Sequence, residues 1–275
     1  MKLFAISDLH LSGEINRQAV RDMPAFPGDW LILAGDVAEK FSDIQFGFEE
    51  MARRFDKVFW APGNHDLWAI RRDNDPDPLR GEARYHALVE MARSLGIHTP
   101  EDPYVTLDGH QGAQPLTVAP LFVLYDYSFR PSHVSRDNVV AWAKEKRMAC
   151  GDEFFLHHEP HDSRDAWCAA RVDYSLKRLS EIPDNHRTIL VNHFPLREEL
   201  VHIPRAPRFS PWCGTKQTED WHHRFRAHTI VSGHLHIRRS DQLDGVNFEE
   251  VSLGYPKQWD QKRGLAAYLR EIVSR

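Results

Sequence analysis

Apolar and polar positions change period several times along the 275-residue chain, and the changes mark its elements. KLFAIS, WLILAG, KVFWAP, TILVN and TIVSG are short apolar, partly β-branched runs that stop at Ser, Gly, Pro or Asn. Such runs predict strands over 2–7, 30–34, 57–61, 188–191 and 229–232. A helix is expected over 15–21. Another carries Ile44, Phe48, Met51, Ala52 and Phe55 at helical spacing after Ser42 and Asp43, either of which can cap it. Leu88, Met91, Ala92 and Leu95 mark a further helix that ends at Gly96. Strands over 104–107 and 116–124 flank a Gly/Gln turn. The polar, aperiodic stretch 125–164 then reads as a helical or loop cap over a site. A helix over 164–182, with Val172, Leu176 and Leu179 inward, and strands over 248–251 and 265–269 complete the chain. The pattern predicts an α/β fold, a single domain over 1–275, with two sheets face to face and helices outside.

Five of the strands end in a polar cluster: Asp8-Leu9-His10, Gly35-Asp36, Gly63-Asn64-His65-Asp66, Asn192-His193 and Gly233-His234-Leu235-His236. In α/β sheets the carboxyl ends of the strands meet at one crevice, so these side chains are expected to converge. Asp, His and Asn together are oxygen and nitrogen donors suited to Mn, Fe, Zn or Mg. Each motif alone also reads as a turn; the five in sequence, each after an apolar run, point to metal chemistry.

The motifs SDLH, GDVAE, GNHD, NHFP and GHLH resemble those of the calcineurin-like metallophosphoesterase superfamily and span most of the chain. The resemblance implies a four-layer αββα sandwich of two mixed sheets with a dinuclear centre, one divalent or trivalent ion on each side. It places Asp8, His10, Asp36 and His236 on the first metal. Asp36, Asn64, His193 and His234 fall on the second, with Asp36 as the bridge. Manganese and iron are the expected metals, zinc or magnesium the alternatives. His65 is the expected catalytic group, donating to the leaving oxygen. Asp66 is expected to hold its other nitrogen or to cap a short helix. Glu39 reads equally as support for the site or as a surface acid.

The segments FVLYDYSF, DAWC, FSPWCGTK and GYPKQW resemble the actinobacterial phosphopantetheinyl hydrolases of this superfamily. That resemblance implies removal of 4′-phosphopantetheine from a holo-acyl carrier protein. Tyr125, Arg205, Arg208 and Lys216 are then candidate substrate contacts, the basic residues facing an acidic carrier protein. A phosphomonoesterase, a nucleotide phosphodiesterase and a non-catalytic scaffold are the other readings. The formal charge of −5 argues against a general nucleic-acid binder. Cys150, Cys168 and Cys213 form no CxxC pair, and no apolar run approaches the ~20 residues of a membrane helix, so a cytoplasmic protein is expected. Among the 17 histidines, the pairs His157-His158 and His222-His223 sit at no strand end and read as surface or cap residues.

Overall fold

Side chains along each central strand alternate between two apolar environments, and that alternation builds the layers. In β1 (Lys2–Ile6), Leu3 and Ala5 enter one cluster while Ile6 enters another. β2 (Phe26–Leu33) and β3 (Phe55–Trp60) repeat the division: Ile32 and Phe59 join Leu3, whereas Leu31, Leu33, Val58 and Trp60 face the other way. The structure is a computed structural model that describes residues 1–71, 75, 78–109 and 114–275; the expected Gly/Gln turn falls largely on 110–113, outside the described residues.

The second sheet divides its residues in the same way. Its strands are β4 (Val105–Leu107), β5 (Leu116–Pro120), β6 (Arg187–Val191), β7 (Ala227–Ser232), β8 (Arg239–Leu243) and β9 (Val246–Glu250). Val118, Ile189, Val191 and Val231 share the cluster of Leu3, Ile32 and Phe59, so the two sheets face each other across it. With β10 (Arg270–Ser274), the sheet orders are β10-β1-β2-β3 and β4-β5-β6-β7-β9-β8. β1, β2 and β3 are mutually parallel, as are β5, β6, β7 and β9, and the edges β10, β4 and β8 are antiparallel. The outer cluster holds helix residues: Val20 of α1 (Glu14–Arg21), Ile44, Phe48 and Met51 of α2 (Phe41–Arg54) and, beyond the short α3 (Asn64–Leu67), Leu88 of α4 (Gly81–Ser94). The stretch 125–164 forms α5 (Val139–Lys144) and α6 (Asp152–Phe155). Its residues Tyr127, Val139 and Leu156 join the same outer cluster. α7 (Arg164–Leu179) and α8 (Trp221–Arg224) complete that layer.

Several expected elements shift. The 265–269 run is a 3₁₀ turn entered at Gly264, and the strand begins after it at Arg270. β8 has the polar sequence RSDQL and carries no apolar signal because it is an edge strand. β5 stops at Pro120, which lacks an N–H. The buried segment beyond it is held instead by Asn192, whose Oδ1 accepts from Val123 N at 2.9 Å and whose Nδ2 donates to Val123 O at 3.1 Å. α2 starts without a side-chain cap; Asp43 pairs with Arg17 at 2.7 Å, and Phe55 belongs to β3.

Candidate metal centre

The carboxyl ends of the parallel strands β1, β2, β3, β6 and β7 deliver the five polar clusters to one place. Asp8, His10, Asp36, His234 and His236 all have positive φ, a conformation that costs a non-glycine residue of order 1–3 kcal/mol and gathers at functional sites. Two motif glycines are required by close approach. A Cβ at Gly63 would lie 2.1 Å from Asp36 Oδ1, and one at Gly233 would lie 2.4 Å from Asp8 Oδ2.

Seven candidate ligands converge. His236 Nε2 lies 3.0 Å from Asp8 Oδ1 and 3.1 Å from His10 Nε2. His193 Nε2 lies 3.4 Å from Asp36 Oδ2 and 3.1 Å from Asn64 Oδ1. Asp36 has oxygens within reach of His10 on one side and of Asp8 and His193 on the other, so it joins the two halves. The His234 ring stands against His193, and its amide donates to Asp8 Oδ2 at 3.1 Å.

This donor set fits divalent cations. Asp8 Oδ1 and His234 Nε2 are buried without a hydrogen-bond partner, and buried polar atoms are seldom left so. His10 Nε2 and His236 Nε2, 3.1 Å apart, can share a proton, and with both lone pairs free they would face one cation instead. Burial disfavours the charged form of His193, yet Asp36 and Asp8 outweigh it and push its pKa up to about 10. His236 is likewise raised to about 9, against burial, by Asp8. His234 is lowered to about 3 by burial and by His193. The two carboxylates thus draw positive charge onto the centre, and a metal pair supplies it more fully than protons do.

A layer of supporting groups fixes the donors. His193 Nδ1 is held by Ala34 O at 2.8 Å and His236 Nδ1 by Gln258 Oε1 at 2.8 Å, which leaves both Nε2 atoms facing the centre. Ser7 and Ser252 donate to Asp8 Oδ2 at 2.6 and 2.7 Å. Asp66 does not hold His65, which corrects that expectation, but it does help cap the short helix α3, accepting from the amide of Gly63 at its N-terminus at 3.0 Å. Its carboxylate accepts from the amides of Asp36, Val37, Ala38 and Gly63 and from Trp60 Nε1, which locks the GDVA loop to the GNHD turn. Glu39 holds His65 instead, with Oε1 2.9 Å from Nδ1. His65 Nε2 consequently faces the centre, 4.0 Å from Asp36 Oδ2, while its ring stacks on Trp68 at 3.7 Å. Burial opposes its protonation, but Asp36 and Glu39 raise its pKa nonetheless.

Asp152 lies in no motif, and Tyr255 belongs to GYPKQW, which assigns it no role at the site. Asp152, fully buried in the 125–164 stretch, accepts from Asn64 Nδ2 at 2.9 Å and Trp68 Nε1 at 2.6 Å. Tyr255 stacks on His10 at 4.2 Å. Above the donors opens a cleft of about 370 Å³, walled by Trp68 and Gly151, by Ile203, Ala206 and Phe209, and by Tyr255 and Gln258.

The candidate substrate contacts separate. Tyr125 is corrected: it is fully buried, its ring packed on Tyr127 and Phe194, and it lines no part of this cleft. Arg208 pairs with Glu145 at 2.8 Å and Lys216 with Glu198 at 2.9 Å, while Arg205 is exposed between the wall residues Ile203 and Ala206. His222, expected at the surface, is buried. It forms a second His/Asp group with His223 and Asp244, but Arg197 Nη1 lies 2.8 Å from His222 Nε2 and 3.0 Å from Asp244 Oδ2, where a cation would sit.

Comparison with known proteins identifies the family. Residues 1–238 match the calcineurin-like phosphoesterase family. Over 274 residues the chain is 46% identical to the acyl-carrier-protein phosphodiesterase PptH of Mycobacterium tuberculosis, spanning 98% of this chain and 83% of that protein. The crystal structure of phosphopantetheinyl hydrolase (PptH) from Mycobacterium tuberculosis matches with a TM-score of 0.92 and 44% identity, over 100% of this chain and 96% of that one. Among the described residues no helix is long and apolar enough to cross a membrane. The scaffold alternative falls away, and the chain belongs to the calcineurin-like phosphoesterase family as a metal-dependent hydrolase of phosphate esters.

Proposed function

We propose that this enzyme cleaves the phosphodiester between 4′-phosphopantetheine and a serine of a holo-acyl carrier protein. The observation that carries the substrate is the near full-length likeness to the acyl-carrier-protein phosphodiesterase, at 46% identity. Asp8, His10, Asp36 and His236 would hold one metal ion, and Asp36, Asn64, His193 and His234 the other. Oxygen and imidazole donors of this kind favour manganese or iron. Such a pair, when bound, supplies Lewis-acid stabilisation of the phosphoryl group and activation of a water.

The protein's own contribution centres on His65. Glu39 fixes Nδ1, Trp68 fixes the ring plane, and Nε2 presents a proton toward the cleft. Water adds to phosphorus, the bond to the serine oxygen breaks, and His65 protonates that oxygen. The products are a serine hydroxyl and free 4′-phosphopantetheine. Asp66 and Asp152 act as positioning residues, one for the Asp36 loop and one for Asn64. A cytoplasmic location is proposed with the same reading, in line with three buried free cysteines. Incubation with holo-carrier protein and Mn²⁺, followed by mass, tests the proposal. Loss of the phosphopantetheine arm is expected; an intact carrier, with turnover of nucleotide diesters or of monoesters, would replace it by a general phosphoesterase.

A further inference from the structure

Three aromatic rings from separate segments each lean on a histidine of the centre: Trp68 on His65 at 3.7 Å, Tyr255 on His10 at 4.2 Å and Phe209 on His234 at 5.8 Å. The Phe209 side is built as an apolar unit. Ile203 and Phe209 pack on a small cluster of Phe129, Cys213 and Leu235, distinct from the two larger ones. Leu235 stands between the candidate ligands His234 and His236, so this cluster comes up against the donors themselves. Ile203, Ala206, Phe209 and Leu235 all line the cleft of about 370 Å³ over the donors. Among the described residues no lysine, arginine or glutamate lines it. The Gln258 carboxamide oxygen there is taken up by His236 Nδ1 at 2.8 Å and by the Tyr255 amide at 2.7 Å.

Such a lining suits an uncharged, partly apolar group tethered to a phosphate. A second phosphate or a carboxylate on that group would lose its water with no cation to meet it. The volume is that of a small-ligand site, in the range of ~300–1,000 Å³, and too small for the face of a protein. A phosphodiester has two substituents. The one that leaves must put its oxygen beside His65, whose ring is backed by Trp68. The other is free to lie toward His234, where Phe209 and Leu235 stand. In a 4′-phosphopantetheinyl ester that second substituent carries a geminal dimethyl group one methylene from its ester oxygen, so it needs apolar surface directly beside the phosphate. We propose that Ile203, Ala206, Phe209 and Leu235 form the bed on which the pantetheine arm lies, and that this apolar wall selects the arm; this rests on the substrate reading above.

The test measures how 4′-phosphopantetheine and inorganic phosphate compete with bis-p-nitrophenyl phosphate and, by calorimetry, how each binds the manganese-loaded enzyme. Phosphate reports the donors alone, and the ratio of the two affinities reports the wall. The wild type is expected to bind phosphopantetheine roughly tenfold or more tighter than phosphate. Phe209→Ala and Ile203→Asp should each remove most of that ratio, and Phe209→Leu, which keeps apolar area, should retain most of it. A wild-type ratio near one would overturn the apolar bed, while cleavage of holo-carrier protein by the same preparation would leave the substrate reading intact. A ratio unchanged in both variants would overturn the assignment of the wall, whatever the loss of overall affinity. Tighter binding of adenosine 5′-monophosphate than of phosphopantetheine would overturn it in favour of a nucleoside. A wild-type enzyme that cleaves the small diester and never the carrier would overturn the substrate reading and the arm site together.

Discussion

The strand-end loops and the 125–164 stretch both build the centre, by opposite means. In the loops, a candidate donor follows its own strand within a few residues. Asp8 lies just past β1, Asp36 past β2, Asn64 past β3, His193 past β6 and His234 past β7. The sheet therefore places the donors, and the strained backbone at Asp8, His10, Asp36, His234 and His236 lies at the ends of its strands. The 125–164 stretch reaches the centre only through tertiary contacts, with Asp152 meeting Asn64 across 88 residues of sequence. Function thus rests on a rigid frame that supplies charge and on a long-range segment that aims it.

The largest effect that probes this division belongs to His65. His65→Ala should keep both metals and lose roughly 10²–10⁴ in turnover of a serine ester. Bis-p-nitrophenyl phosphate, with its better leaving group, should suffer less; equal losses would mean that His65 stabilises phosphoryl charge rather than protonating the leaving oxygen. Glu39→Gln keeps the shape, and should lower turnover less than His65→Ala while shifting the pH profile.

Asp152→Ala tests the long-range segment. It leaves Asn64 Nδ2 and Trp68 Nε1 without their acceptor, and loss of such a supporting partner typically weakens metal binding by roughly 10–100-fold. Calorimetric titration with Mn²⁺ should show the deficit in one of two sites. Equal weakening of both would mean that Asp152 supports the cleft as a whole.

The difference between the regions also explains what was legible in the sequence. Donors next to their strands could be found because one short motif holds both the apolar run and the polar end. Glu39 stayed ambiguous because nothing local tells that its carboxylate turns toward His65. Asp66 was read as the partner of His65, but four backbone amides converge on it from the GDVA loop and the GNHD turn. Asp152 lies in an aperiodic stretch, and nothing local tells that Tyr125, a candidate substrate contact, is packed away against Tyr127 and Phe194. The edge strands β8 and β10 are polar or half-exposed and leave no periodic trace.

A smaller, stability-level effect concerns the tie between α7 and the segment before β4. Arg171 Nη2 lies 2.7 Å from Glu101 Oε1, which also accepts from the Tyr85 hydroxyl at 2.6 Å. Burial alone would raise the Glu101 pKa, but Arg171, Tyr174 and Tyr85 hold it below its usual value. Because the folded pKa is depressed, its stabilisation is present above the unfolded value near ~4.3 and is lost as pH falls through the folded one. Glu101→Gln should cost roughly 1–3 kcal/mol at neutral pH, with the deficit shrinking on acidification. Urea unfolding at pH 7 and pH 3 measures it; a deficit that grows in acid would contradict the assignment.

The central claim is that one carboxylate, Asp36, joins two metal sites. Metal content and binding isotherms of the wild type, Asp36→Asn and His236→Ala decide it most directly. The account predicts two ions per chain in the wild type, weakened binding at both sites in Asp36→Asn, and loss of mainly one ion in His236→Ala. Undiminished binding of two ions by Asp36→Asn would contradict it.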